Sequence, residues 1–178
     1  AEKGTATHLF LQFCNFDNIQ ATEESISQEI SRLISEKYLS DNIAKLIRAD
    51  EILKFAQSSL FENLRNAEKI YRELRFNVFL PASELTTKEL LKNTYKDQQV
   101  LVQGVIDLCY YDNNGNLILC DYKTDRIPRD ILGDYDSIKH MFESAHSQQL
   151  KYYSYAVESI FNKKPDKVLI YSLAYGNT

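Results

Sequence analysis

The chain has 178 residues, 44% hydrophobic and 12% aromatic, which suits one compact domain with a sizeable core. Its 21 Lys and Arg against 25 Asp and Glu leave a net charge of −4, which excludes a general electrostatic attraction to nucleic acid. Cys14, Cys109 and Cys120 are odd in number and lack CxxC spacing, which speaks against disulfides, zinc or iron–sulfur and for a reducing bacterial cytosol.

No signal peptide or apolar run of membrane length is present. The chain opens on Ala in what reads as a helix start, without an initiator Met, so it is expected to be a piece of a longer protein.

In chain order, the first 66 residues read as helical. Thr22 can cap a helix whose Ile26, Ile30, Leu33 and Ile34 fall on one stripe; Ser40 or Asp41 can cap a second carrying Ile43, Leu46 and Ile47. Residues 70–80 alternate as a strand, with Leu74, Phe76, Val78 and Leu80 on one face and Tyr71, Glu73, Arg75 and Asn77 on the other. Pro81 ends it. Residues 104–123 read as a hairpin, 126–142 as a polar loop, 143–162 as a helix and 167–173 as a final apolar strand. Strands interleaved with helices on both sides of a sheet predict an α/β fold.

The hairpin carries the chemistry. Asn113-Asn114-Gly115 suits a three-residue loop with Gly in the left-handed position, so Asp112 pairs with Asn116. Counting back down both strands sets Asp107 directly opposite Asp121, with Lys123 on the same face. A loop one residue shorter or longer would separate the aspartates. Two carboxylates about 5 Å apart repel by roughly 3 kcal/mol at an effective dielectric of 20. Such a pair is a natural seat for a hard divalent cation such as Mg²⁺. The alternative is a solvated sheet edge, but Val105 and Cys109 flank Asp107, and Ile106, Leu108, Ile118 and Cys120 are expected to point the other way. A polar trio in so apolar a hairpin reads as a site.

On the late helix, Gln149 and Tyr153 stack four apart, with Ala156, Val157 and Ile160 on the same inner side. They could bind a phosphate or position Lys123, or be no more than a core Tyr and a Gln bonded to a buried carbonyl. His140 and His146 are expected to face solvent.

Asp107 followed by Asp121-Tyr122-Lys123 resembles the PD-(D/E)xK nuclease core. Five blocks in order are similar to the RecB-like nuclease family, in its AddAB-type helicase–nuclease branch: GTATH at 4–8, RELRF at 72–76, GVID at 104–107, DYKTD at 121–125 and QLKYY at 149–153. A PASEL segment at 81–85 fits that branch as well, and the resemblance runs from residue 4 to residue 173.

The resemblance implies a restriction-endonuclease-like core: a mixed central sheet flanked by helices, with a helical N-terminal part. The expected organisation is a single RecB-like nuclease domain over 1–178, mostly helical over 1–66, with the nuclease core over 67–178. It further implies metal ligation by His8, Asp107 and Asp121 through side chains and by Tyr122 through its carbonyl. Glu73 matches the family's acidic residue on the first strand, Lys123 the lysine that stabilises charge on the reacting phosphate, and Gln149 and Tyr153 the Q-x-x-x-Y motif. The implied cofactor is Mg²⁺, with Mn²⁺ as a substitute; ATP belongs to the helicase part of a parent protein. The implied partners are an AddB-type protein and a DNA single strand delivered by the motor. A stand-alone RecB-like nuclease and a non-catalytic DNA-binding module on the same fold are the other readings of the same residues.

Overall fold

A computed structural model describes residues 2–85 and 93–177. Five helices come first: α1 (Glu2–Phe13), α2 (Glu23–Ser35), the single turn α3 (Asp41–Ala44), α4 (Ala49–Ala56) and α5 (Ser59–Arg65). Strand β1 (Lys69–Pro81) runs into a short 3₁₀ turn, followed after the undescribed stretch by β2 (Gln99–Tyr111), β3 (Leu117–Lys123), helix α6 (Tyr135–Phe161) and β4 (Lys167–Ser172). The strands form one sheet in the order β1-β2-β3-β4, antiparallel at the first two junctions and parallel at the third. The sheet is therefore mixed, as an α/β fold with a crossover helix requires.

Local signals explain most boundaries. Thr22, Ser40 and Ser58 accept hydrogen bonds from backbone N–H groups of the first turns they cap. The helix expected over Ile43, Leu46 and Ile47 is shorter than anticipated: after Ala44 the chain makes turn-type bonds, Leu46 N–H to Ile43 and Ile47 N–H to Ala44. The late helix is longer than anticipated, because Asp134 caps it by accepting from both the Ser137 N–H and hydroxyl. Residues 135–142, expected in the loop, are its first two turns, with Ile138 and Phe142 buried one turn apart.

The sheet is packed on both faces. Against one lie α1, α2, α4 and α5, with Phe10, Ile26, Phe55 and Leu60 meeting Leu108, Tyr110, Ile118, Cys120 and Tyr171. Against the other lies α6, whose Ala156 and Val157 meet Cys109, Leu117 and Leu119. Ile160, expected beside them, is exposed. Cys109 and Cys120 lie on opposite faces, and all three thiols are free and buried.

The expected alternation along β1 and β2 fails once on each strand, and at facing positions. Ile70 and Arg72 face the helical layer and Tyr71 faces α6, yet beyond Glu73 it is Leu74, Phe76, Val78 and Leu80 that face α6. On β2, Leu108 and Tyr110 face the helices whereas Ile106 joins Cys109 on the α6 side. The physical cause is Glu73, whose φ of 50° is left-handed and reverses the strand's parity at one residue. Pairing is continuous on either side, Arg72 with Leu108 and Leu74 with Ile106. Beyond the inversion, Gly104 faces Phe76, and a Cβ there would sit 2.7 Å from the ring.

Candidate metal centre and active site

The hairpin loop is the expected one. Asp112 N–H donates to the Asn116 carbonyl at 3.0 Å, Gly115 has φ 76°, and the Asp112 carboxylate accepts from the Asn114 and Asn116 N–H groups at 2.9 Å each. The register follows, with Tyr111 opposite Leu117 and Leu108 opposite Cys120, so the next facing positions are Asp107 and Asp121. There the β2–β3 ladder stops. The Asp107 carboxylate takes over, accepting the Tyr122 N–H through Oδ2 at 2.8 Å. Asp107 thus sits at the fork where the two strands part, with Glu73 facing it from β1.

Helix α1 closes the fork. His8 Nδ1 lies 3.4 Å from Asp107 Oδ1, and donor atoms of His8, Glu73 and Asp107 all lie within 4.8 Å of one another. They share an open cleft of about 400 Å³ with Gly4, Thr5, Gln12 and Thr124. Gly4 is where α1 crosses closest to the end of the hairpin: a Cβ would stand 2.7 Å from Thr124 Oγ1.

On the other side of the fork Asp121 is almost fully buried, and its Oδ2 lies 2.6 Å from Lys123 Nζ. Lys123 also donates to Gln149 Oε1 at 2.9 Å, and Gln149 Nε2 donates to the Tyr153 hydroxyl at 2.8 Å. Gln149 and Tyr153 therefore hold the lysine rather than a core carbonyl. The carboxylate of Asp121 stands with Lys123, outside the His8–Glu73–Asp107 set. Tyr122 buries its ring in the helical-side core and offers its N–H to Asp107.

The electrostatics show an excess of negative charge. Burial, then the neighbouring Asp107 charge, pushes Asp121 up to about 6 against the pull of Lys123 and His8. Burial and Asp107 likewise raise Glu73. For His8, burial works against the protonated form, but the Asp107 hydrogen bond and the charges of Asp107, Glu73 and Asp121 outweigh it and raise its pKa. Each shift is one that a bound cation would relieve. An imidazole and two carboxylates, with Asp121 adjacent, are donors suited to Mg²⁺ or Mn²⁺.

Two features go beyond what the sequence leads one to expect. Arg72, next to Glu73, donates to three carbonyls at the end of α1. His146, expected in solvent, is largely covered: its ring stacks on Phe142 and its Nε2 lies 3.7 Å from Asp125 Oδ2. Its spacing, four after Phe142 and three before Gln149, carried that signal. His140 is exposed.

Comparison with known proteins agrees with this geometry. Over 177 residues the chain is 35% identical to AddA, the larger-named ATP-dependent helicase/nuclease component of Clostridium botulinum (strain Loch Maree / Type A3), covering 99% of this chain and 13% of that protein. It is 34% identical over 171 residues to the protein of the same name from Clostridium kluyveri, covering 96% of this chain and again 13% of the relative. The chain therefore spans only a small part of the length of the curated relatives it matches. The model for the PD-(D/E)XK nuclease superfamily matches residues 1–176, and the mixed sheet between helical layers is consistent with that family's restriction-endonuclease-like fold. The chain belongs to the PD-(D/E)XK nuclease superfamily.

Proposed function

We propose that the chain hydrolyses DNA phosphodiester bonds as the exonuclease part of a helicase–nuclease that processes double-strand breaks for recombinational repair. Its parent would work in the bacterial cytoplasm with an AddB-type partner, ATP being used by the motor rather than by this chain. The observation that carries the reading is the fork itself, where His8, Glu73 and Asp107 converge on one side and Asp121, Lys123 and Gln149 on the other.

His8, Glu73 and Asp107 would hold a Mg²⁺ or Mn²⁺ ion, with the Asp121 carboxylate and the Tyr122 carbonyl completing the set. A bound ion supplies positive charge to the scissile phosphate and lowers the pKa of a coordinated water. Lys123 meets the negative charge that develops on the phosphoryl oxygens, and Gln149, braced by Tyr153, keeps its ammonium at the fork. Asp107 does double duty, because the oxygen facing away from His8 fixes the Tyr122 N–H and so the start of the Asp-Tyr-Lys segment.

The test is cleavage of a labelled DNA single strand with Mg²⁺ or Mn²⁺, set beside thermal unfolding with and without the ion. The ion should raise the melting temperature, by an amount equivalent to about 2.7 kcal/mol when it is at 100 times its Kd. Asp107→Ala should abolish both the shift and the cleavage. An equal shift in that variant would put the ion elsewhere.

A further inference from the structure

We propose that Arg72 is a positioning residue for the candidate metal site, acting through His8; the inference rests on the metal reading above. Helix α1 has no basic residue in its last turn, so its terminal carbonyls need partners from elsewhere. Arg72 Nη1 donates to the carbonyls of Leu11 and Gln12 at 3.1 Å each and to that of Cys14 at 2.6 Å. Arg32 Nη2 donates to the remaining one, Phe13, at 3.3 Å. Two guanidiniums thus gather the negative end of the helix dipole, and Arg72 also lies over the Phe16 ring at 4.0 Å.

The consequence for the site comes from sequence adjacency. Arg72 anchors α1, and the next residue, Glu73, turns left-handed to face Asp107. Two consecutive side chains of β1 therefore fix one donor directly and set the axial position of the helix bearing another. A helix transmits a displacement along its axis almost undiminished, so a slip at residues 11–14 becomes a slip of the His8 ring. The planar fork matters, since an ammonium offers no rigid planar array of donors to several carbonyls.

Mn²⁺ binding measured by calorimetry tests this in a cycle of wild type, Arg72→Met, His8→Ala and the double variant. Arg72→Met is expected to weaken Mn²⁺ binding about tenfold when His8 is present. Its effect should fall below about twofold in the His8→Ala background, because the residue it positions is gone. Arg72→Lys, which keeps the charge, should fall between wild type and Arg72→Met and serves if the methionine variant does not fold. Unchanged Mn²⁺ affinity in Arg72→Met, or a loss that persists in the His8→Ala background, would overturn the proposal. Failure of the wild type to bind Mn²⁺, or equal binding by wild type and His8→Ala, would instead remove the metal reading and this inference with it.

Discussion

Lys123 is the residue on which binding and catalysis separate most cleanly. It is held between Asp121 and Gln149, and the donor set of His8, Glu73 and Asp107 lies apart from it. Lys123→Ala should accordingly keep the metal-induced rise in melting temperature while cleavage falls about 100- to 1,000-fold, the loss expected when one preorganised charge-stabilising group is removed. Wild-type cleavage by that variant would contradict the assignment of the lysine even with the ion in place. Asp107, Asp121 and Lys123 were legible in the sequence because a single turn, Asn-Asn-Gly, fixes who faces whom. Glu73 was legible only through its resemblance to a family motif. Nothing in a side-chain pattern announces that a Glu will adopt φ 50°, a conformation that costs a non-glycine residue about 1–3 kcal/mol.

At the scale of elements, the parity inversion is what pattern reading could not supply. Period two, applied through residues 70–80 and 104–109, places Tyr71 and Ile106 on the wrong faces, because one left-handed residue reverses everything beyond it. The early start of α6 was readable in principle from Asp134, Ser137 and the buried pair Ile138 and Phe142. The Asp and Gly around residue 133 suggested a loop more strongly. Elements also hold one another by ion pairs that sequence spacing shows only in part. Glu29 of α2 is nearly fully buried, takes the Asn15 N–H at 2.6 Å and pairs with Arg32, the second arginine at the end of α1. Burial alone would raise its pKa, but the Arg32 and Asn15 hydrogen bonds prevail and hold it below the ordinary carboxylate value. A carboxylate depressed by folding stabilises the native state above its unfolded pKa, and that contribution is lost as pH falls through the folded value. Melting temperatures should therefore drop more steeply below about pH 4.5 in the wild type than in Glu29→Gln, the unfolded pKa being near that of a free peptide. Parallel pH profiles would mean that the pair contributes nothing to the junction of α1 and α2.

At the scale of the whole molecule, the charge is −4, and among the described residues no Lys or Arg lines the cleft that contains His8, Glu73 and Asp107. The phosphate-neutralising surface that supplies most non-specific DNA affinity is thus missing where the strand must enter. The isolated chain should bind a fluorescent DNA single strand only weakly at physiological salt with Ca²⁺ replacing Mg²⁺, and gain activity when a motor presents the strand by raising its effective concentration. Submicromolar affinity for the bare chain would favour a stand-alone nuclease. The three buried thiols have a use that does not depend on any of this. Cys14 lies in the helical-side core, Cys109 under α6, and Cys120 adjoins Asp121 from within the sheet. Each is inert to an aqueous disulfide reagent until its own layer opens, so the native chain carries three built-in clocks for breathing. With the thiols resolved by peptide mapping, Mn²⁺ should slow labelling of Cys120 more than that of Cys14 or Cys109, since an ion at the fork braces the end of β3 first. Equal slowing at all three would mean that the ion tightens the molecule as one body.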